Sequence, residues 1–218
     1  MKLRRSHCAR QQKGSFIMSA NRRASRETYR LTGTAILAAV VVVLTVVCTF
    51  VRFGPFSITL ALAPILIGSA LYGSRSGAIL GFTFGLVVLI TGLFGWDGGT
   101  VMYLMSQNAF ALLLIVLLKG TAAGWLAGVC YHALHKKNEK MAVVISGIVC
   151  PVVNTGLFIL GMLIAFIDTL NSWASDSANL ISYLIIGLTG VNFLVELAVN
   201  LLLSAGITRL IRYGKKVE

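Results

Sequence analysis

Five side chains stand where ionic or hydrogen-bonding chemistry is expensive. Asn192, Glu196 and Asn200 fall four residues apart, so a helix carrying them presents all three on one stripe. Glu196 lies roughly 20 Å, at 1.5 Å per residue, from the basic C-terminal end of its apolar run. Asn154, beside Thr155 and just after Pro151, reaches a similar depth in the preceding run, and Lys119 lies about 25 Å from the inner end of the run before that. A charge at the centre of a bilayer costs at least about 2.5–3.5 kcal/mol, so these groups should face a protein interior and find partners there. Two readings stay open. Lys119 and Glu196 pair to fix helix register, or Lys119 snorkels to the outer interface; alternatively the group forms a polar site for a solute, open to the outside. Its lid would come from Arg52–Phe56, Trp96–Tyr103 and residues 168–179. Trp96, Tyr103 and Trp173 are then either ligand contacts or interfacial belt aromatics.

Other chemistry is missing from the sequence. No glycine-lysine phosphate loop occurs, so any use of ATP belongs to a partner. There is no HExxH, no GxSxG and no Cys/His metal cluster, and Cys8, Cys48, Cys130 and Cys150 have neither ligand nor disulfide spacing. We expect no enzyme and no cofactor.

The elements that must position these groups are apolar. Of 218 residues, 57% are hydrophobic and 12% charged, with a mean hydropathy of +0.86. A soluble domain has about twice that share of charge. The expectation is an all-α membrane protein, a six-helix bundle with both termini cytoplasmic, crossing at Leu31–Val51, Ile58–Tyr72, Gly77–Phe94, Val116–Leu134, Met141–Ile167 and Leu180–Ile211. Met102–Leu114 is expected as a partly re-entrant cap, and residues 168–179 as a polar outer loop. Residues 1–30 form a basic cytoplasmic tail, 31–211 the membrane domain and 212–218 a second basic tail.

Seventeen of the 19 Lys and Arg residues then fall on one side, as the positive-inside rule requires. The net charge of +12 therefore reads as an orientation signal and a contact for anionic lipids. A nucleic-acid partner is not expected, because the tail has no recognisable binding fold around it.

Small residues recur at helical spacing. Gly73, Gly77, Gly81 and Gly85 form one stripe, Gly120, Gly124 and Gly128 another, and Ala35 and Ala39 a third. In lipid such stripes let backbones touch. They serve either packing inside the bundle or docking of another membrane subunit, and spacing alone does not choose.

The run Phe56-Ser57-Ile58-Thr59-Leu60-Ala61-Leu62-Ala63-Pro64-Ile65-Leu66-Ile67-Gly68, then Leu71-Tyr72-Gly73 and Gly77–Gly85, resembles the substrate-binding S components of energy-coupling factor (ECF) transporters. So do Ala35/Ala39, Lys119-Gly120 and Asn154-Thr155-Gly156. The resemblance implies a six-helix bundle in a bacterial plasma membrane that captures a vitamin from outside. It implies delivery by toppling against a transmembrane scaffold subunit driven by two ATPases, with Ala35 and Ala39 meeting the scaffold. The nearest likeness is to pantothenate-type members, then folate-type. Lys119 stands where an arginine is expected, keeping the charge but losing the bidentate fork. On this reading Lys119, Asn154, Asn192, Glu196, Trp96 and Tyr103 contact the substrate. The rival from another class is a stand-alone carrier or channel.

Overall fold

The computed structural model describes residues 27–50, 52–53, 56–57, 59–174 and 190–217. Among these the chain is helical apart from one small hairpin. Helix α1 is Glu27–Thr49. Strands β1 (Arg52–Phe53) and β2 (Phe56–Ser57) pair antiparallel, where the sequence suggested only a loop. Then come α2 (Leu62–Tyr72), α3 (Ser74–Leu93), α4 (Thr100–Leu134), α5 (Glu139–Ala165), α6 (Ile167–Trp173) and α7 (Gly190–Val217). Four of these, α1, α3, α4 and α5, are long and apolar enough to cross a membrane.

In α1, the hydroxyls of Thr34, Thr45 and Thr49 each donate to the carbonyl one turn back, at 2.7–2.8 Å. Polar side chains thus enter an apolar helix with their hydrogen bonds satisfied locally. Helix α2 is shorter than expected, because Pro64 belongs to its first turn, where a missing N–H costs nothing. Its 11 residues span only about 16 Å. Leu62, Ala63, Pro64, Ile65, Leu66, Gly68, Ser69 and Ala70 are all buried, so α2 is wrapped on most sides by the other helices, as an all-apolar helix must be. The Arg30 guanidinium donates to the Tyr72 carbonyl, tying the start of α1 to the end of α2.

The two glycine stripes meet each other. A Cβ built on Gly77 would strike the Gly124 carbonyl oxygen, and one on Gly81 the Gly120 carbonyl. The reverse also holds, with Gly120 facing the Gly81 carbonyl and Gly124 that of Gly77. Helices α3 and α4 are in backbone-to-backbone contact, which places both glycine stripes inside the bundle.

The cap and fourth crossing expected at Met102–Leu114 and Val116–Leu134 form a single element, α4, broken at one residue. Asn108 is extended (φ −155°, ψ 90°), and its Oδ1 accepts from the Ala111 N–H at 3.1 Å, starting the helix afresh. The division therefore falls at Asn108, earlier than hydropathy suggested. Asp97 caps the outer leg: its carboxylate accepts from Gly99 N at 3.0 Å and Val101 N at 2.7 Å, while Gly95, Gly98 and Gly99 take the positive φ values the turn needs. Helix α5 is capped by Asn138, which accepts from Lys140 N and Met141 N. The polar loop expected from residue 168 begins instead as the short helix α6. The first ten residues expected in the sixth crossing, and the tail at 1–26, lie outside the described residues.

Two apolar clusters fill the bundle. One surrounds α2 and includes Ile65, Leu66, Leu80, Phe84, Ala123, Tyr131 and Cys150. The other joins the start of α4 to the end of α5 and to α6, through Leu104, Leu112, Val116, Phe158, Met162 and Leu170.

Candidate functional site

The polar groups singled out in the sequence lie where the two apolar clusters meet. On α4, Lys119 falls between Val116 of one cluster and Ala123 of the other. On α5, Asn154 falls between Cys150 and Phe158 in the same way. The cause is a regular stripe: Ala142, Ser146, Cys150, Asn154, Phe158 and Met162 recur every fourth residue, and all are buried. Opposite them α7 presents Glu196 and Asn200, which are 4% and 2% exposed.

Glu196 is flanked by the side chains of Thr59 and Asn154, with Lys119 and Cys150 also within its electrostatic range. Yet Glu196 Oε2, Asn154 Oδ1, Asn200 Nδ2 and Ser146 Oγ are buried without a hydrogen-bond partner among the described residues. Such groups normally find one. Asn200 packs beside Gly147 and Ser146 lies two turns below Asn154, so these two belong to a lower level than the Glu196–Asn154 contact.

Lys119 is half-buried. Its Nζ lies 4.5 Å from the centroid of the Phe158 ring, a cation–π contact. Lys119 and Glu196 lie within electrostatic range of each other, while the ammonium contacts Phe158 and borders a cavity. That cavity holds about 50 Å³, the share of one or two waters. Thr49, Thr91 and Asp97 give it polar edges, Lys119 and Phe158 its floor, and Val101 and Leu104 its outer wall.

The other sequence candidates are dispersed. Trp96 lies in the turn after α3, its ring 5.7 Å from Phe50 and 5.9 Å from Phe94. Tyr103, on the outer leg of α4, sits 6.0 Å from Trp173. Each is 43% exposed, and neither lines the cavity. Asn192 belongs to the first turn of α7, but its side chain lies outside the described residues. Ala35 and Ala39 are exposed on α1, in a stripe with Leu31, Ile36, Val40, Val43 and Val47. Thr59, Asp97, Phe158 and Ser146 were missed. The four-residue repeat through α5 was the available signal for Ser146 and Phe158.

Several apolar, membrane-length helices packed around a buried polar layer define a multi-pass membrane protein built as a helix bundle. The chain matches the family of the ECF transporter, substrate-specific component, over residues 29–208, and it belongs to that family. No curated protein matches the chain. Membership makes the protein a transporter subunit rather than an enzyme, the substrate-specific component of an ECF importer that works with scaffold and ATPase subunits on a small molecule.

Proposed function

We propose that this protein captures a vitamin, pantothenate first and folate next, from outside a bacterial plasma membrane. It crosses the membrane six times with both termini in the cytoplasm, and its basic tail contacts anionic lipid headgroups. It passes the vitamin inward with a membrane scaffold and two ATPases. The observation that carries this reading is the polar layer set between two apolar clusters, with Asn154 and Glu196 buried in it and Lys119, half-buried, bordering a cavity. Groups so costly to bury are retained for a ligand more readily than for stability. Lys119 holds the carboxylate that both vitamins share, and Asn154, Asn192 and Glu196 meet polar groups deeper in. Trp96 and Tyr103 close over the outside.

A drug-sized ligand needs a pocket of about 300–1,000 Å³, so uptake opens a cavity that now holds about 50 Å³. Ala35 and Ala39 form the face that meets the scaffold, supported by their exposure on α1.

Mass spectrometry of whatever co-purifies with the protein tests the proposal. A carboxylate-bearing vitamin is expected, and a molecule without an anionic group would overturn the role of Lys119. Uptake by the purified chain in liposomes, without ATPases, would establish the stand-alone carrier instead.

A further inference from the structure

Two acceptors in the polar layer, one on α5 and one on α7, are left open among the described residues, on side chains that touch each other. Glu196 Oε2 and Asn154 Oδ1 belong to residues that are each 4% exposed, and neither has a donor among the described residues. Neither oxygen can satisfy the other while the carboxylate is ionised, because both accept. Leaving a buried acceptor unmade costs more than the bond itself contributes when formed. Lys119, the nearby cation, contacts the Phe158 ring and lies within electrostatic range of Glu196, yet Glu196 Oε2 has no hydrogen bond from it. No described residue supplies the donor, which leaves the place open to one carried by a ligand.

From this pair of open acceptors we infer that the substrate is bipolar, carrying paired N–H or O–H donors at the end opposite its anionic group, and that Glu196 Oε2 and Asn154 Oδ1 hold this donor end. The inference rests on the reading of the layer as the substrate site and adds to it the chemistry of the ligand's second end. It excludes ligands whose far end only accepts hydrogen bonds. Pantothenate meets the requirement through its hydroxyls, and folate through the amino edge of its pteridine.

The discriminating variant is Glu196→Gln. Glutamine keeps the size of the side chain, and its amide N–H can donate to Asn154 Oδ1, closing the gap within the protein. The same N–H then opposes a donor brought by the ligand. The two readouts therefore move in opposite directions: the melting temperature of the ligand-free protein stays or rises, while affinity falls.

Full-length wild type and Glu196→Gln, purified in detergent, are compared by melting and by calorimetric titration with pantothenate and with folate. We expect a loss of roughly 10–100-fold in affinity for whichever probe the wild type binds. Unchanged affinity overturns the inference and means that water or the carboxyl's own proton satisfies the pair. If the wild type binds neither probe, the vitamin assignment fails, and the inference is judged on the co-purified molecule identified by mass spectrometry. A molecule with paired donors at one end supports it, one without them overturns it, and a protein that binds neither probe and carries no molecule overturns both.

Discussion

Replacing Gly81 by alanine adds one methyl group, yet the structure assigns it a large effect. The new Cβ would fall on the Gly120 carbonyl, 2.5 Å from its carbon and 3.1 Å from Thr121 N. Carbon atoms pack at about 3.5–4.0 Å, so the overlap is about 1 Å or more, and it is with backbone rather than with a side chain that can turn aside. Helices α3 and α4 must separate, which also loosens the flanking Gly77–Gly124 contact. Overpacking of this kind costs about 1–3 kcal/mol. For a chain of this size that lowers the melting temperature by roughly 2–12 °C. Gly156→Ala is the matched control, because a Cβ there meets nothing within 4 Å. Alanine is the better helix former by roughly 0.5–1 kcal/mol, so that variant should melt at the same temperature or slightly higher. Both are measured on the isolated, detergent-solubilised protein. Equal melting shifts for the two variants would refute the reasoning. An unshifted Gly81→Ala that still lost uptake would return this stripe to the docking role.

The remaining predictions concern the site and its frame. Ala35→Trp or Ala39→Trp should block uptake in cells while leaving ligand affinity intact; lost binding in the purified variant would remove these residues from docking. Lys119→Ala should weaken a carboxylate ligand at least about tenfold, the scale of one lost charge-assisted hydrogen bond, and an unchanged titration would leave Lys119 only its contact with Phe158. Asp97→Ala removes the acceptor that caps α4 and should cost about 1 kcal/mol, read as a fall of roughly 2–4 °C in melting temperature; an unchanged melt would mean that the capping turn contributes nothing.

How far the sequence reached depended on which physical signal each residue carries. Long apolar runs marked α1, α3 and α5 to within a few residues, because span length is set by the bilayer rather than by packing. Pro64 was legible as a break but not as a first-turn residue, since a proline reads alike in both places until the neighbouring hairpin is seen. The division of α4 was legible from its length but was placed too late, because Asn108 interrupts the helix and its side chain restarts it. Residues 168–173 looked polar enough for a loop, yet Thr169 and Leu170 are buried and hold a short helix against the bundle. Depth along a helix follows from counting residues, and it brought Lys119, Asn154 and Glu196 to one layer. Direction around the helix does not follow from depth, which is why the contact of Lys119 with the Phe158 ring was overlooked. The glycine stripes were seen at once, but only contact with a second stripe could tell an internal seam from an outward face.

These features also restrict where the protein can open. The inner leg of α4, from Asn108 to Leu134, carries Lys119 and is held to α3 by glycine contacts that tolerate no inserted atom. The outer leg, from Thr100 to the Asn108 break, supplies Val101 and Leu104 to the cavity wall and is held at its start by Asp97. Widening the cavity by moving the inner leg would break the backbone contacts of the seam and displace the one cation on the floor. Moving the outer leg, the turn before it and the aromatic pair Tyr103 and Trp173 leaves the seam and Lys119 in place and disturbs instead the contact of Val101 with Gly92 of α3. The break at Asn108 thus separates the part of α4 that carries Lys119 from the part that walls the cavity on the outside, and on the proposed function the outer part is the one that yields to a ligand.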